Sequence, residues 1–247
     1  IRDYFRDYSR VSFSESIRIT LIHNLANNLL PMRSGEASFP LMMRSSFDLP
    51  LSMTTGTLLF FRVLDLQVLL ALGAIAWIWQ LHSNLIGWSA WVVFVLSPFI
   101  LIQGRTFIES KILVLLPRKL EELSKKILSG TPQSFDPLIR TLALTWLNWS
   151  TKIIVFAWIL MSFAELELVQ AITGAMGGEL SSVLPFHAPA GVGTYEAGVV
   201  AGAALTGSSI DSSVAAAVNL HILIILGTLI GGVIAPLINQ KTFQPPN

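Results

Sequence analysis

The chain has 247 residues, of which 53% are hydrophobic and 13% charged, with a formal net charge of +1 and a mean hydropathy of +0.65. That balance leaves too little polar surface for a water-soluble domain of this size, so it excludes a soluble globular enzyme and reads as a membrane protein. Cysteine is absent, which removes disulfide frameworks and thiolate metal sites.

Residues 1–10 read as a charged juxtamembrane loop rather than a basic-then-apolar signal peptide. The chain begins with Ile1 rather than Met, and the expectation is a longer protein that has lost an N-terminal part. The whole of 1–247 is expected to be a single transmembrane domain.

Segment 15–45 is long enough to enter a membrane but is interrupted by Pro31 and Gly35 and carries Arg33 and Glu36. Irregular backbone at membrane depth survives only where protein or a water-filled cavity satisfies it. The segment therefore reads as a helix–break–helix re-entrant hairpin. A full span needs about 20 mainly apolar residues. The stretches 52–80 and 85–103 meet that requirement, and Trp77, Trp79, Trp88 and Trp91 flank the turn near His82 as an aromatic belt.

Residues 105–135 hold the densest run of cations, including Arg105, Lys111, Arg118, Lys119, Lys125 and Lys126, with apolar residues at helical spacing. By the positive-inside rule the segment is cytoplasmic, and it reads as an amphipathic helix, kinked at Pro117, lying on the membrane face. Spans 141–163 and 211–236 follow. Between them, 167–206 is again interrupted, by Pro185, His187, Gly191 and Gly193, and reads as a second re-entrant hairpin. Three crossings separate the two hairpins, so they point toward each other from opposite leaflets, as in inverted-repeat transporters. The expected fold class is all-α, a polytopic membrane protein with two opposed re-entrant hairpins.

The two breaks match. The first reads Leu30-Pro31-Met32-Arg33-Ser34-Gly35-Glu36; the second runs from Leu184-Pro185-Phe186 to Thr194-Tyr195-Glu196. Proline ends the first half-helix and glycine permits positive φ. Ser34 and Thr194 are expected to cap the half-helices that follow, whose free N–H groups favour an anion such as a lipid phosphate. Glu36 and Glu196 serve either to stabilise those helix starts or to bind a ligand. Arg33 either snorkels to the interface or binds, and His187 is either a hydrogen-bonded structural residue or a proton carrier.

Ionisable groups within spans usually line a pathway. Asn24 and Asn28 are four residues apart and share one helix face. Arg62 and Asp65, three apart, form a local ion pair or part of a site. Lys152 lies too deep to snorkel and requires a carboxylate, with Glu36, Asp65 and Glu196 as candidates. Asn219 and His221 are expected to make interhelical hydrogen bonds. No P-loop, GxSxG, HExxH or CxxC motif is present in the sequence, so an enzyme, a cofactor and a metal are not expected. Nor do basic residues interleave with aromatics as a nucleic-acid surface would require.

The stretches HNLANNLLPMRSGEASFPLMMR, FFRVLDL and LPFHAPAGVGTYEAG resemble the membrane-domain family that contains the flippase half of the bacterial lysylphosphatidylglycerol synthase, over about Ser14 to Pro236. The resemblance implies a helical fold with two re-entrant hairpins in a bacterial inner membrane, and the movement of an aminoacylated phospholipid between leaflets. It carries over Arg33, Gly35 and Glu36, then Arg62 and Asp65, then Gly191, Gly193 and Glu196. This chain departs from the family pattern in having Phe61 where an acidic residue is expected, and Thr-Tyr-Glu where Val-Arg-Glu is commoner.

The expected function is therefore translocation of a phosphate-containing lipid through a polar cavity between the hairpins. Asn24, Asn28, Arg33, Glu36, Arg62, Asp65, Lys152, His187, Tyr195 and Glu196 would bind the substrate. The alternative is an enzyme, or the partner of one, acting on polyprenyl-phosphate-linked sugars. The expected partner is membrane lipid, with a separate lipid-modifying synthase and a second copy of the chain as candidate protein partners.

Overall fold

The computed structural model describes residues 1–5, 11–80, 85–132, 134–183 and 188–238; for Asp3, Pro31, Met32, Arg33, Ala76, Trp77, Trp79, Gln80, Leu101, Thr106 and Ile112 it describes the backbone alone. Every regular element among the described residues is helical. Pro185, His187 and the turn near His82 lie outside the described residues.

After a short helix α1 (Arg2–Phe5), α2 (Phe13–Leu29) starts where the Ser12 hydroxyl accepts the Glu15 N–H, and it stops at Leu30 because Pro31 follows. A 3-10 run, Pro31–Ala37, leads into α3 (Ser38–Phe47), which ends at Asp48 in the left-handed conformation. Helices α2 and α3 lie antiparallel. Gly35 sits on the Ala26 backbone, His23 Nδ1 is 3.1 Å from Ser38 Oγ, and Ser46 Oγ donates to Glu15 Oε1 at 2.8 Å. The expectation that Ser34 caps the second half-helix is corrected, since the 3-10 run continues past it and α3 begins only at Ser38.

Four longer helices follow: α4 (Leu51–Gln80), α5 (Leu85–Gln103), α8 (Phe135–Phe163) and α11 (Ile210–Ile234). Three stretches, Leu51–Ile75, Phe135–Phe163 and Ile210–Leu237, are long and apolar enough to cross a membrane; the apolar part of α5, Leu85–Ile100, is shorter. Helix α8 starts ahead of the span expected over 141–163, because Asp136 and Pro137 both suit a first helical turn. It buries Leu138, Leu142, Trp149, Ile153, Ala157 and Leu160, and leaves Leu144, Leu147, Ile154 and Trp158 exposed on the opposite face. An apolar face turned outward is the surface lipid requires. Trp91 turns inward instead, donating to the Ala71 carbonyl at 2.8 Å and packing on Trp146, which removes it from the expected belt.

The segment 105–135 is not one kinked helix. Helix α6 (Arg105–Phe107) gives way to a π turn at Ile108–Ile112 and a 3-10 turn at Leu113–Leu115, and a separate amphipathic helix, α7 (Arg118–Ser129), starts after Pro117. Its exposed charges pair along the helix, Arg118 with Glu122 at 3.0 Å and Lys125 with Glu121 at 2.6 Å. It docks on α4 where Gly130 meets Gly56, and the Tyr4 hydroxyl donates to the Gly130 carbonyl.

The second interrupted segment forms α9 (Leu168–Val183) and α10 (Thr194–Ala204). Gly178 meets Tyr195 and Val199, Gly177 meets Gly198, and the Thr173 carbonyl meets Gly202, so α9 and α10 also run antiparallel. A Cβ on Gly177 would lie 2.1 Å from the Gly198 carbonyl oxygen. Helices surrounded by lipid gain little from apolar burial against each other and rely on such close small-residue packing. Helix α11 packs on both hairpins: Gly232 accommodates Leu25 of α2, and α10 lies alongside. The 3-10 turn Pro189–Gly191 touches both α2 and the 3-10 run Pro31–Ala37. The two chain breaks therefore meet inside the bundle.

Candidate functional site

Where the breaks meet, the bundle encloses a cavity of about 420 Å³. Its wall is polar because each contributing helix turns its polar positions inward at helical spacing. From α2 come Thr20, Asn24, Asn27 and Asn28, and from α4 Arg62 and Asp65. Helix α8 adds Asn148, Trp149 and Lys152; α9 adds Glu179 and Ser182; the second break and α10 add Ala190, Gly191, Thr194 and Tyr195; α11 adds His221.

Arg62 organises one side. Its Nε donates to Glu36 Oε1 at 2.8 Å, Nη1 to Asp65 Oδ2 at 3.0 Å and Nη2 to His23 Nε2 at 3.2 Å. Three diverging partners exploit the guanidinium fork, which a lysine cannot reproduce. The other Asp65 oxygen accepts the Trp149 indole N–H at 2.8 Å, joining α4 to α8. Asn28 of α2 donates to Thr228 of α11 at 2.8 Å.

Lys152 occupies the opposite side, with Nζ 2.6 Å from Glu179 Oε2 and 4.9 Å from the centre of the Trp149 ring. Its expected carboxylates were Glu36, Asp65 and Glu196. The structure assigns it Glu179 instead, because Asp65 and Glu36 are taken up by Arg62, and Glu196 by His221. The buried Tyr195 hydroxyl stands beside the Glu179 carboxylate. Asn27 Oδ1 is buried and unpaired among the described residues. An unpaired polar atom in a polar wall suits a polar ligand.

Glu196 reaches back to the Gly193 N–H at 2.7 Å and contacts His221 Nδ1 at 2.7 Å. The helix cap is thus Gly193, with φ of 83°, rather than Thr194, whose hydroxyl donates to the Gly191 carbonyl at 3.0 Å. His221 Nε2 lies 2.9 Å from the Ala190 carbonyl oxygen.

Of the residues proposed from sequence, Asn24, Asn28, Arg62, Asp65, Lys152, Gly191 and Tyr195 border the cavity. Glu36 and Glu196 stand behind it, bonded to Arg62 and His221, which do border it. Pro31 and Gly35 form the first break, Gly35 giving the close approach to Ala26. The Arg33 side chain, and His187 and Pro185 entirely, lie outside what the structure describes. Sequence reasoning missed Glu179, His23, Asn27 and Ser182, and for His221 it expected an interhelical hydrogen bond, which the ring makes to Glu196 of α10. A lone carboxylate within the small-residue run of α9 was the available signal for Glu179. Among the described residues no group of three or more His, Asp or Glu suits a metal ion.

Two further spaces lie beside the cavity on its α2 side. One of about 300 Å³ shares Thr20, Asn24, Arg62, Asp65 and Asn148 with it. The other, of about 430 Å³, shares Ile1, Thr20 and Leu144 with that one and is also bordered by Arg2, Ser16, Ile17 and Leu21.

A helical bundle with apolar outer faces, three stretches long and apolar enough to cross a membrane and a charged internal cavity defines a membrane protein with an internal polar site. A family model described as the lysylphosphatidylglycerol synthase TM region matches residues 7–232, and the chain belongs to that family. Comparison with curated proteins and with solved structures gave no match.

Proposed function

We propose that the protein moves a phosphate-bearing lipid between the leaflets of a bacterial inner membrane, the headgroup passing through the central cavity while the tails stay in lipid. The observation that carries this reading is the charged cavity where the two breaks meet, with Arg62 and Lys152 in its wall and two neighbouring spaces that share wall residues on the α2 side. In this reading the hairpins are re-entrant from opposite leaflets, forming an inverted repeat with the breaks near the midplane.

The cavity presents two cation–carboxylate pairs, Arg62 with Asp65 and Lys152 with Glu179. Such pairs can exchange partners with a zwitterionic or aminoacylated headgroup, whose phosphate takes the cation and whose amine takes the carboxylate. Each carboxylate at the cavity is thereby engaged by a cation, an arrangement that favours headgroup binding over general-base chemistry on a lipid-linked sugar.

The test is headgroup flipping of fluorescent phospholipids in proteoliposomes. Lys152→Met and Arg62→Gln are expected to slow flipping at least about tenfold, the loss of about 1.4 kcal/mol of headgroup interaction. Unchanged rates in both variants, or metal-dependent turnover of a polyprenyl-phosphate sugar by the purified chain, would overturn the proposal.

A further inference from the structure

We infer that His221 and Glu196 together form a proton-binding site, and that the bound proton ties the second chain break to α11. His221 is buried, with both ring nitrogens at hydrogen-bond distance from oxygen: Nδ1 at 2.7 Å from Glu196 Oε1 and Nε2 at 2.9 Å from the Ala190 carbonyl. A neutral imidazole has one N–H and one lone pair. A backbone carbonyl can only accept, so Nε2 must donate. An ionised carboxylate can only accept, so Nδ1 must donate as well. Glu196 is held ionised by the Gly193 N–H and by its place in the first turn of α10, where the helix dipole favours negative charge. With Glu196 ionised, both contacts of the ring are satisfied together only when it carries two protons.

His23, the other buried histidine among the described residues, provides the contrast. Its Nε2 receives an N–H from Arg62 and its Nδ1 faces the Ser38 hydroxyl, which donates or accepts. A neutral ring suits both of those contacts.

The proton bears on a segment that requires support. Ala190 has φ of 53°, disfavoured for a residue with a Cβ, and Gly191 and Gly193 follow at 75° and 83°. Loss of a proton leaves the remaining N–H on the Nδ1 side, where the carboxylate makes the stronger bond. The Nε2 lone pair then opposes the Ala190 oxygen, and the tie opens. Ala190, Gly191 and His221 all border the central cavity, so release alters its wall.

The charges around His221 leave Glu196 as its counter-ion. Tyr195 of α10 stacks on the ring at 4.8 Å. Across the cavity, Lys152 of α8 and Glu179 of α9 are paired with each other, as are Arg62 and Asp65 of α4. Helix α2 borders the same cavity with Asn24, Asn27 and Asn28, and Asp211 sits in the first turn of α11 itself. A proton cycling at this site would couple lipid movement to a proton gradient, a consequence that rests on the proposed transport function; the site itself does not.

The experiment is ¹⁵N-histidine NMR of the full chain in nanodiscs from about pH 5 to 9, with the His221 signal assigned by its loss in His221→Gln. Two protons are expected on the ring at the acidic end and one at the alkaline end. Hydrogen exchange of the 190–193 amides, corrected for intrinsic rate, is expected to rise about tenfold across the same transition, and to show no such step in His221→Gln. A ring with a single proton throughout, or exchange at 190–193 that ignores its titration, overturns the inference. If His221→Gln fails to fold, Glu196→Gln assigns the signal by its shift and the wild-type titration decides. Neither readout requires lipid transport, so a protein that moves no lipid still tests the site.

Discussion

Lys152 and Glu179 form an ion pair whose partners are unequally buried, the lysine side chain keeping 36% of its surface exposed and the glutamate 3%. Removing one partner therefore has different consequences depending on which is left. Lys152→Met strands a carboxylate in a dry site, at a cost of about 3–5 kcal/mol. Glu179→Gln leaves a lysine that still faces the polar cavity and the Trp149 ring, at a cost of about 1–2 kcal/mol. Thermal unfolding in detergent should rank the lysine variant as the less stable, and the double variant Lys152→Met with Glu179→Leu should regain most of the loss. An equal or larger effect from Glu179→Gln would show that the pair is not desolvated from the α9 side.

The α9–α10 contact makes a sharper distinction between two glycines. A Cβ on Gly177 would meet the Gly198 carbonyl oxygen at 2.1 Å, whereas one on Gly227 would meet nothing within 4 Å. Gly177→Ala must push the two helices apart and should cost at least about 2 kcal/mol, because dense packing is what holds them. Gly227→Ala relieves a weak helix former in mid-helix and should be neutral or stabilising by up to about 1 kcal/mol. The melting temperatures of the two variants should move in opposite directions, or the first alone should move.

What sequence alone could reveal divides along physical lines. Proline together with nearby glycine disfavours a continuous helix, so the breaks at Pro31 and near Gly191 were visible without tertiary information, although Pro98 is accommodated within α5. An isolated cation such as Lys152 announces a need for a partner, but not which one. Choosing Glu179 over Asp65 depends on which helices are neighbours and on Arg62 having already taken Asp65. The cap at the second break was off by one residue for a related reason. Glu196 supplies the capping carboxylate from within the helix, so the cap position needed only backbone freedom, which Gly193 provides. At the first break the same Ser-x-Glu pattern did not open a helix, because Glu36 is drawn to Arg62 and the backbone continues as a 3-10 run to Ala37. The role of His221 was not legible, since its two acceptors come from α10 and the break, 25 and 31 residues away.

Docking of α7 should prove separable from the rest of the bundle. Its closest approach to α4 is at Gly56 and Gly130, where a Cβ on Gly130 would meet the Gly56 carbonyl carbon at 2.0 Å, with Ile127 packing beside Phe60 and Leu64. Gly130→Val should release α7 and let it unwind, so that trypsin can cleave at the surface residues Lys119 and Lys125, while the cavity on the far side of α4 keeps its geometry. Limited proteolysis in membranes should show cleavage within 118–129 at least about tenfold faster, with the thermal transition of the bundle shifted by less than about 1 kcal/mol, the scale expected of a local opening. Loss of the whole fold in this variant would mean that α7 is part of the core.

Arg62→Lys tests whether shape or charge matters at the first hairpin. Lysine preserves the charge but has one ammonium to offer where the guanidinium reaches Glu36, Asp65 and His23 by three separate nitrogens. Asp65 is close along α4 and should keep the ammonium, whereas Glu36 and His23, both on the first hairpin, should lose their bond. The Glu36 side chain keeps 24% of its surface exposed, so its lost contact is worth about 1 kcal/mol rather than a fully buried value, and the single hydrogen bond to buried His23 adds about 1 kcal/mol. The expected result is a destabilisation of about 2 kcal/mol, with faster hydrogen exchange in 23–38 and little change in α8 or α9. Exchange that rises equally in all helices would show instead that Arg62 holds the bundle as a whole; no change would show that charge alone suffices.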